Sequence, residues 1–379
     1  MPVQDLSTSA ERVPSTMLAA VYRNPGSLSI EKVPVPPTGP GEVLLRVGAC
    51  GVCGTDLKKI HYGLQSAPRI FGHEMAGTVA CLGKGVDNWA IGDRAALLHH
   101  VACSDCFYCK RGLDAQCAEY RRTATTAGFE PAGGGFAEYV LATPTAVGRG
   151  MVRVPADVAL ENATFIEPVN TCLKGIRRVG GQADDLVMIF GLGPIGMLLS
   201  LLARLEGYLV VGIDPIPERR ALAEKLGDIQ ATNGDTDALA DLARSLTQGR
   251  GADAAIVATP AVPAIQAAIK VVRPGGRVIL FANTRTGESA PLDVGDLCVG
   301  DKEIVGSYSS SMDCIEPACR LIFGGKLPVT RLITHRFPLT HINDALVVAS
   351  HPTPGTMKVI INPTPSLTHL LSQPSPMSA

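Results

Sequence analysis

The chain has 379 residues, enough to bury more than one hydrophobic core, so two domains are expected and a small peptide scaffold is excluded. Its 34 lysines and arginines balance 35 aspartates and glutamates, which leaves no basic footprint for nucleic acid and no acidic tail for a basic partner. The richest apolar run, 187–203, is broken by three glycines and a proline and followed by Arg204, a pattern of buried soluble structure rather than a membrane span.

The first sixteen residues are polar and lack a basic head with an apolar core behind it, so no secretory signal is read and a cytoplasmic location is expected. Eleven cysteines, an odd number, favour reduced thiols and metal ligands over a disulfide framework. Over 17–168, short apolar stretches such as 42–49 and 75–83 alternate with Gly, Pro and Asp turns and predict an antiparallel, barrel-like β domain. A helix-like segment follows near 163–179. Over 169–309 apolar segments then alternate with amphipathic ones, which predicts an α/β domain with a doubly wound parallel sheet. Its strands are expected at 186–190, 209–214, 254–259, 277–283 and 303–308, with a helix at 217–227 that has proline near its start and glycine at its end. Residues 310–379 are expected to return to the first domain through a strand at 357–362 and to end in a fraying tail rich in proline and serine.

Gly191, Gly193 and Gly196 follow an apolar strand and open a helix. The first permits the tight turn, the second lets a pyrophosphate reach the backbone, and the third lets helix and strand pack closely. The phosphate would meet free N–H groups at the helix start. Asp214, ending the next strand, can accept hydrogen bonds from both hydroxyls of an adenosine ribose and would repel a 2′-phosphate, so NAD is preferred to NADP. Arg219 and Arg220 are either a solvated helix face or partners for that phosphate.

Cys53 and His73, one thiolate and one imidazole separated by a loop, suit a zinc site with an open position, which Glu74 or Glu167 could complete. Taken singly, a cysteine is more often a small core residue and a histidine more often a satisfied hydrogen-bonder. Cys103, Cys106, Cys109 and Cys117, spaced by two, two and seven residues, could close a tetrahedron around a second zinc ion; an iron–sulfur cluster is the competing reading.

In order, "GVCGTD", "GHE", the four-cysteine lobe, "EP" and "GLGPIG" with a later aspartate resemble the zinc-dependent medium-chain dehydrogenase/reductase family, in its sorbitol-like polyol and threonine dehydrogenase branch. The resemblance runs from Met17 to about Pro363. It implies a GroES-like β-barrel catalytic domain, a Rossmann domain inserted between its two segments, and a site in the cleft between them. It implies a catalytic Zn2+ on Cys53 and His73 with Glu74 and Glu167 alternating with water or substrate, and a structural Zn2+ on the four lobe cysteines. The cofactor would lie along Gly191, Leu192, Gly193, Pro194, Ile195 and Gly196, with Asp214 and Arg219 at the adenosine ribose and Phe281, Ala282 and Asn283 toward the nicotinamide. A homodimer or homotetramer is also implied.

The expected reaction is NAD-dependent oxidation of a secondary alcohol or polyol, with a sorbitol- or iditol-like substrate. Threonine 3-dehydrogenase is the alternative within the family, and a non-catalytic NAD- or zinc-binding relative is the alternative outside catalysis. Thr55 is placed to take the alcohol proton, and Asp56 to orient a metal ligand. Three residues after Thr55, where several members of the family have a relaying histidine, this chain has Lys58, so His61 or water is expected to serve instead, and His61 reads at least as readily as a surface loop histidine. Threonine would demand a cation for its carboxylate and an acceptor for its ammonium, whereas a neutral polyol needs neutral hydrogen-bonders.

Overall fold

The computed structural model describes residues 13–129, 133–282, 284 and 287–364. Asn283 and most of the expected tail lie outside these residues. The first sheet draws on both ends of the chain. Strands Ile333–Pro338, Lys358–Asn362, Val43–Gly51, Glu74–Leu82, Arg94–Leu98 and Met151–Arg153 lie side by side, and Tyr139–Ala142 also pairs with Val43–Gly51. A three-stranded sheet of Ser27–Pro34, Thr16–Asn24 and Arg69–Ile70 closes against it, with Ala19 bridged to Ala137. Met17, Val21, Leu45, Val47, Phe136 and Ile361 share one buried cluster between these sheets. Strand Lys358–Asn362 is antiparallel to the early strand, with Ile360 opposite Gly51 and Ile361 opposite Cys50.

The second sheet is six-stranded and parallel throughout, in the order Gln230–Thr232, Leu209–Ile213, Leu186–Phe190, Ala252–Val257, Val272–Leu280, Glu303–Gly306. That is the doubly wound order, third-second-first-fourth-fifth-sixth, whose ligand crevice lies beyond the carboxyl ends of the strands. Strand Gln230–Thr232 escapes the sequence reading because its three residues hold no apolar run. Four expected strands end early, at Ile213, Val257, Leu280 and Gly306. The residues just beyond, among them Ala258, Phe281, Ala282 and Ser307, line the cleft instead.

Helix Ile166–Arg177 runs between the two sheets. Its residues Ile166, Val169, Cys172, Leu173 and Ile176 fall on one face and are buried with Ile189, Leu198 and Ile322 in a cluster that spans both domains. Each fully buried aliphatic side chain of this kind stabilises by about 1.5–3 kcal/mol. Pro168 is tolerated because it lies in the first turn, where no backbone N–H is needed. The packing fixes the helix so that Glu167 and Thr171, on its other side, line the cleft. Among the described residues no helix is long and apolar enough to cross a membrane.

Candidate active site

Strand Val43–Gly51 runs through Val52 into helix Gly54–His61, whose N-cap is Cys53; the Cys53 Sγ accepts a hydrogen bond from Thr55 N at 3.4 Å. In the neighbouring strand Glu74 stands opposite Gly51, so His73 and Glu74 arrive beside Cys53. A Cβ at Gly51 would lie 2.1 Å from Glu74 Oε2, so only glycine lets that carboxylate turn inward. The ligand atoms of Cys53, His73 and Glu74 all lie within 4.8 Å of one another. Thiolate, imidazole and carboxylate together are a donor set suited to zinc.

The His73 ring is oriented from behind. Its Nδ1 is 3.0 Å from Asp56 Oδ1, both groups are buried, and the other ring nitrogen is left for the trio. Burial disfavours an imidazolium here, but Asp56 and Cys53 outweigh it and raise the His73 pKa well above the ordinary histidine range. The spot therefore favours positive charge, as a metal site must.

Glu74 has a second partner that the sequence reading missed. Lys358, buried in the last described strand, pairs its Nζ with Glu74 Oε2 and also donates to Val52 O at 3.1 Å, while Glu74 Oε1 is buried without a hydrogen bond. Burial opposes the lysine's charge, yet Glu74 raises its pKa above the usual lysine range. A charged residue inside the apolar run "MKVIIN" was the available signal. Glu167 lines the same cavity but stands outside the compact trio. Burial pushes its carboxyl up to about 7, with His73 opposing and Glu74 adding.

These groups face a cavity of about 300 Å³, with Thr55, Lys58, Lys59, His99 and His100 among its walls. His61 is not among them. It is exposed at the end of the helix, its ring 4.7 Å from that of Tyr62, so the structure does not bring the suggested relay histidine to the cavity. Residues three positions apart on a helix share a face, yet here the chain leaves the helix at Tyr62, and His61, its final residue, is exposed while Ile60 before it is buried.

A second cavity of about 230 Å³ shares Cys53, Glu74 and Ile195 with the first and extends over Gly193, Pro194 and Arg219. Gly191 has φ 94°, and a Cβ on Gly196 would fall 1.7 Å from Gly191 O, so the protein itself demands both glycines. Gly193 is different: a Cβ there would meet only Arg219 Nη1, at 3.9 Å. Its bareness serves a ligand that must approach the backbone at the start of helix Pro194–Leu205, as a dinucleotide pyrophosphate does. Asp214 accepts from Leu192 N at 2.7 Å and Ile216 N at 2.9 Å, and Arg219 Nη1 is 3.5 Å from it. Carboxylate oxygens carry further lone pairs, so these contacts leave capacity for ribose hydroxyls. Phe281 and Ala282 line the substrate-side cavity.

In the lobe, Sγ of Cys103 is 3.9 Å from that of Cys109 and 3.6 Å from that of Cys117, and Cys106 and Cys109 are 3.5 Å apart. Four sulfurs each about 2.3 Å from one zinc ion would be about 3.8 Å apart, whereas a disulfide needs about 2.05 Å. The lobe fits a single closed ion. It is also tied to the cleft: Asp114 Oδ2 accepts from Ser311 Oγ and Met312 N at 2.9 Å, and the buried Tyr120 hydroxyl is 2.7 Å from Ser309 Oγ and 2.6 Å from Ser310 Oγ. Sequence reasoning missed Asp114 and Tyr120, because a lone aspartate or tyrosine beside a cysteine lobe carries no pattern.

The family model for the alcohol dehydrogenase GroES-like domain matches residues 39–155, and that for zinc-binding dehydrogenase matches residues 194–324. Erythritol/L-threitol dehydrogenase of Mycolicibacterium smegmatis is 31% identical over 90% of this chain and 96% of its own length. Sorbitol dehydrogenase of Bacillus subtilis is 29% identical over 93% of this chain and 98% of its own. The NADP-bound crystal structure of a Sinorhizobium meliloti protein assigned as a zinc-binding dehydrogenase superposes with a TM-score of 0.80 at 30% identity, covering 92% of this chain and 100% of that one. Likeness of this extent, reaching across both domains and the cleft between them, makes the chain a member of the zinc-type alcohol dehydrogenase family, an oxidoreductase that works with zinc and a nicotinamide cofactor.

Proposed function

We propose that this enzyme oxidises a secondary hydroxyl of a polyhydroxylated substrate to the ketone with NAD as acceptor. The observation that carries the reading is a shared wall: Cys53, Glu74 and Ile195 line both the cavity that His73 faces and the one that bares Gly193. Polyols are also the substrates named for the Mycolicibacterium and Bacillus relatives.

Cys53 and His73 would hold the catalytic zinc, with Glu74 and Glu167 as the carboxylates at its open side. When bound, zinc supplies Lewis acidity toward an alcohol oxygen and the nicotinamide supplies the hydride acceptor. Asp56 holds His73 in the tautomer that presents its free nitrogen to the trio. Thr55 takes the hydroxyl proton, and Lys58 stands beside it on the cavity wall. Ile195, Ala258 and Phe281 keep the reacting carbon close to the nicotinamide and exclude water. Asp214 favours the free 2′-hydroxyl of NAD. Cys103, Cys106, Cys109 and Cys117 hold a structural zinc. Eleven cysteines, five of which would bind zinc as thiolates, suit a reducing, cytoplasmic setting. Edge strand Glu303–Gly306, near the highly exposed Val299, supports assembly into a dimer or tetramer.

The test is an assay of NADH formation over polyols, simple secondary alcohols and L-threonine, with NADP in parallel. Polyols oxidised with NAD, and loss of that activity in folded Cys53→Ser, are expected. Undiminished turnover in Cys53→Ser would sink the site, and equal rates with NADP would overturn the role given to Asp214.

A further inference from the structure

Strand Arg94–Leu98 ends with Leu98 opposite Glu74, so the two residues that follow, His99 and His100, emerge beside His73 and line the substrate cavity. The His99 ring is 4.8 Å from that of His73 and 3.7 Å from that of His100, which stacks in turn on Tyr120 at 4.9 Å. A row of rings thus leads away from the proposed zinc ligand.

The protein does not satisfy these two imidazoles. Nδ1 of His99 and Nδ1 of His100 are both buried with no hydrogen-bond partner among the described residues, and His99 as a whole is 5% exposed. A buried polar atom left unpaired is costly, and a phenylalanine would pack in either place without that cost. The nitrogens therefore call for a partner that the fold itself does not supply. Burial, with His73 and Lys59 adding to it and the Tyr120 backbone opposing, lowers the His100 pKa to about 3. A neutral imidazole carries one N–H and one bare nitrogen, the same give-and-take that a hydroxyl offers. Ser307 Oγ is a third buried, unpartnered group on this cavity, but it stands at the sheet end beside Leu280, on the side of Phe281 and the expected nicotinamide. The two histidines adjoin the metal centre instead.

We infer that His99 and His100 are specificity-determining residues that hydrogen-bond the hydroxyl next to the one being oxidised, so that the enzyme selects a secondary alcohol lying within a vicinal diol. This rests on the proposed function and narrows its substrate class. With one hydroxyl at the Cys53–His73–Glu74 centre, its neighbour on the adjacent carbon meets the next rings of the row. An alcohol lacking that neighbour leaves the buried nitrogens unpaired in the complex, and a site built to bond a hydroxyl rejects the analogue without it.

The holoenzyme is assayed with NAD on 2-butanol, 1,3-butanediol, the stereoisomers of 2,3-butanediol, a pentitol and L-threonine. The proteins compared are the wild type, His99→Phe, His100→Phe, His99→Asn and His100→Asn. The two diols are isomers that differ in whether the second hydroxyl adjoins the reacting carbon. In the wild type the best 2,3-butanediol should exceed 1,3-butanediol and 2-butanol in kcat/KM by roughly ten- to hundredfold, the cost of leaving a buried polar group unpaired. That ratio should fall about tenfold in at least one phenylalanine variant, chiefly through the KM of the vicinal diol. Asparagine at the same position, with an amide that both donates and accepts, should keep more of it. Three results overturn the inference while pentitol oxidation leaves the proposed function standing: no preference for the vicinal diol in the wild type, a preference that survives both phenylalanine substitutions, or asparagine no better than phenylalanine. L-Threonine as the best substrate puts an ammonium beside the reacting carbon and overturns both readings, as does wild-type zinc enzyme that oxidises none of these alcohols. The melting temperatures of the phenylalanine variants should stay within a few degrees of wild type, because no protein hydrogen bond to Nδ1 is lost. Collapse of both would mean that the imidazoles serve the fold, and would overturn the inference.

Discussion

His73 Nδ1 stands 3.0 Å from Asp56 Oδ1 with both side chains buried, so the orientation of one proposed zinc ligand depends on a residue that itself binds no metal. Asp56→Asn keeps an acceptor oxygen but removes the charge. Zinc affinity at this site should fall about 10–100-fold, the usual effect of losing such a partner. Competition with a chromogenic chelator measures it, and unchanged affinity would remove Asp56 from the site.

The pair of Glu74 and Lys358 makes a second prediction. Lys358→Met leaves a buried carboxylate without its cation, and stability should drop by about 3–5 kcal/mol in chemical denaturation. Adding Glu74→Gln to it should recover most of that loss, because a neutral pair no longer demands compensation. If the two losses simply add, the residues do not interact.

Cys106→Ser opens the four-sulfur lobe. Metal analysis should fall from two zinc ions per chain to one, and the melting temperature should fall with it. Because Asp114 and Tyr120 tie the lobe to residues 309–312, next to the cleft, KM should rise more than kcat falls. A wild type with a single zinc per chain, located at Cys53, would end the view of the lobe as a clamp.

Tyr120 gives a prediction in pH. Burial raises its phenol from 10.0 to about 12, with Ser309 and Ser310 opposing. The unfolded chain therefore releases this proton near pH 10 while the folded chain holds it to about 12, so the folded state binds more protons between those values. Stability contributed by the group is intact below pH 10 and is lost as pH rises toward 12, with a slope of about 1.4 kcal/mol per pH unit for one proton. In Tyr120→Phe the decline over that window should be shallower by about one proton. Identical slopes would mean that the phenol is not held neutral by its surroundings.

Much of this architecture was legible because the relevant signals are local. The strand at 186–190 and the helix at 217–227 coincide with Leu186–Phe190 and Pro217–Gly227, since apolar runs, glycine turns and proline starts report directly on backbone geometry. Gly191, Gly193 and Gly196 were readable for the same reason. What escaped depends on tertiary pairing. The counter-charge of Glu74 comes from Lys358, and the link between lobe and cleft from Tyr120 and Ser310, 190 positions apart. The face of the first helix was lost to a short-range ambiguity: Lys58 and Lys59 line the cavity, whereas His61 lies where the helix turns out to solvent.

The position of Lys358 orders events during synthesis. Its Nζ reaches the carbonyl of Val52 across 306 positions of sequence, from the last strand described. A nascent chain exposes Cys53, His73 and Glu74 early but cannot balance Glu74 until synthesis has passed residue 358. The proposed metal pocket is thus finished only when the doubly wound domain between the two segments has already been made. A prematurely ended chain would retain the ligands without the cation that lets them settle.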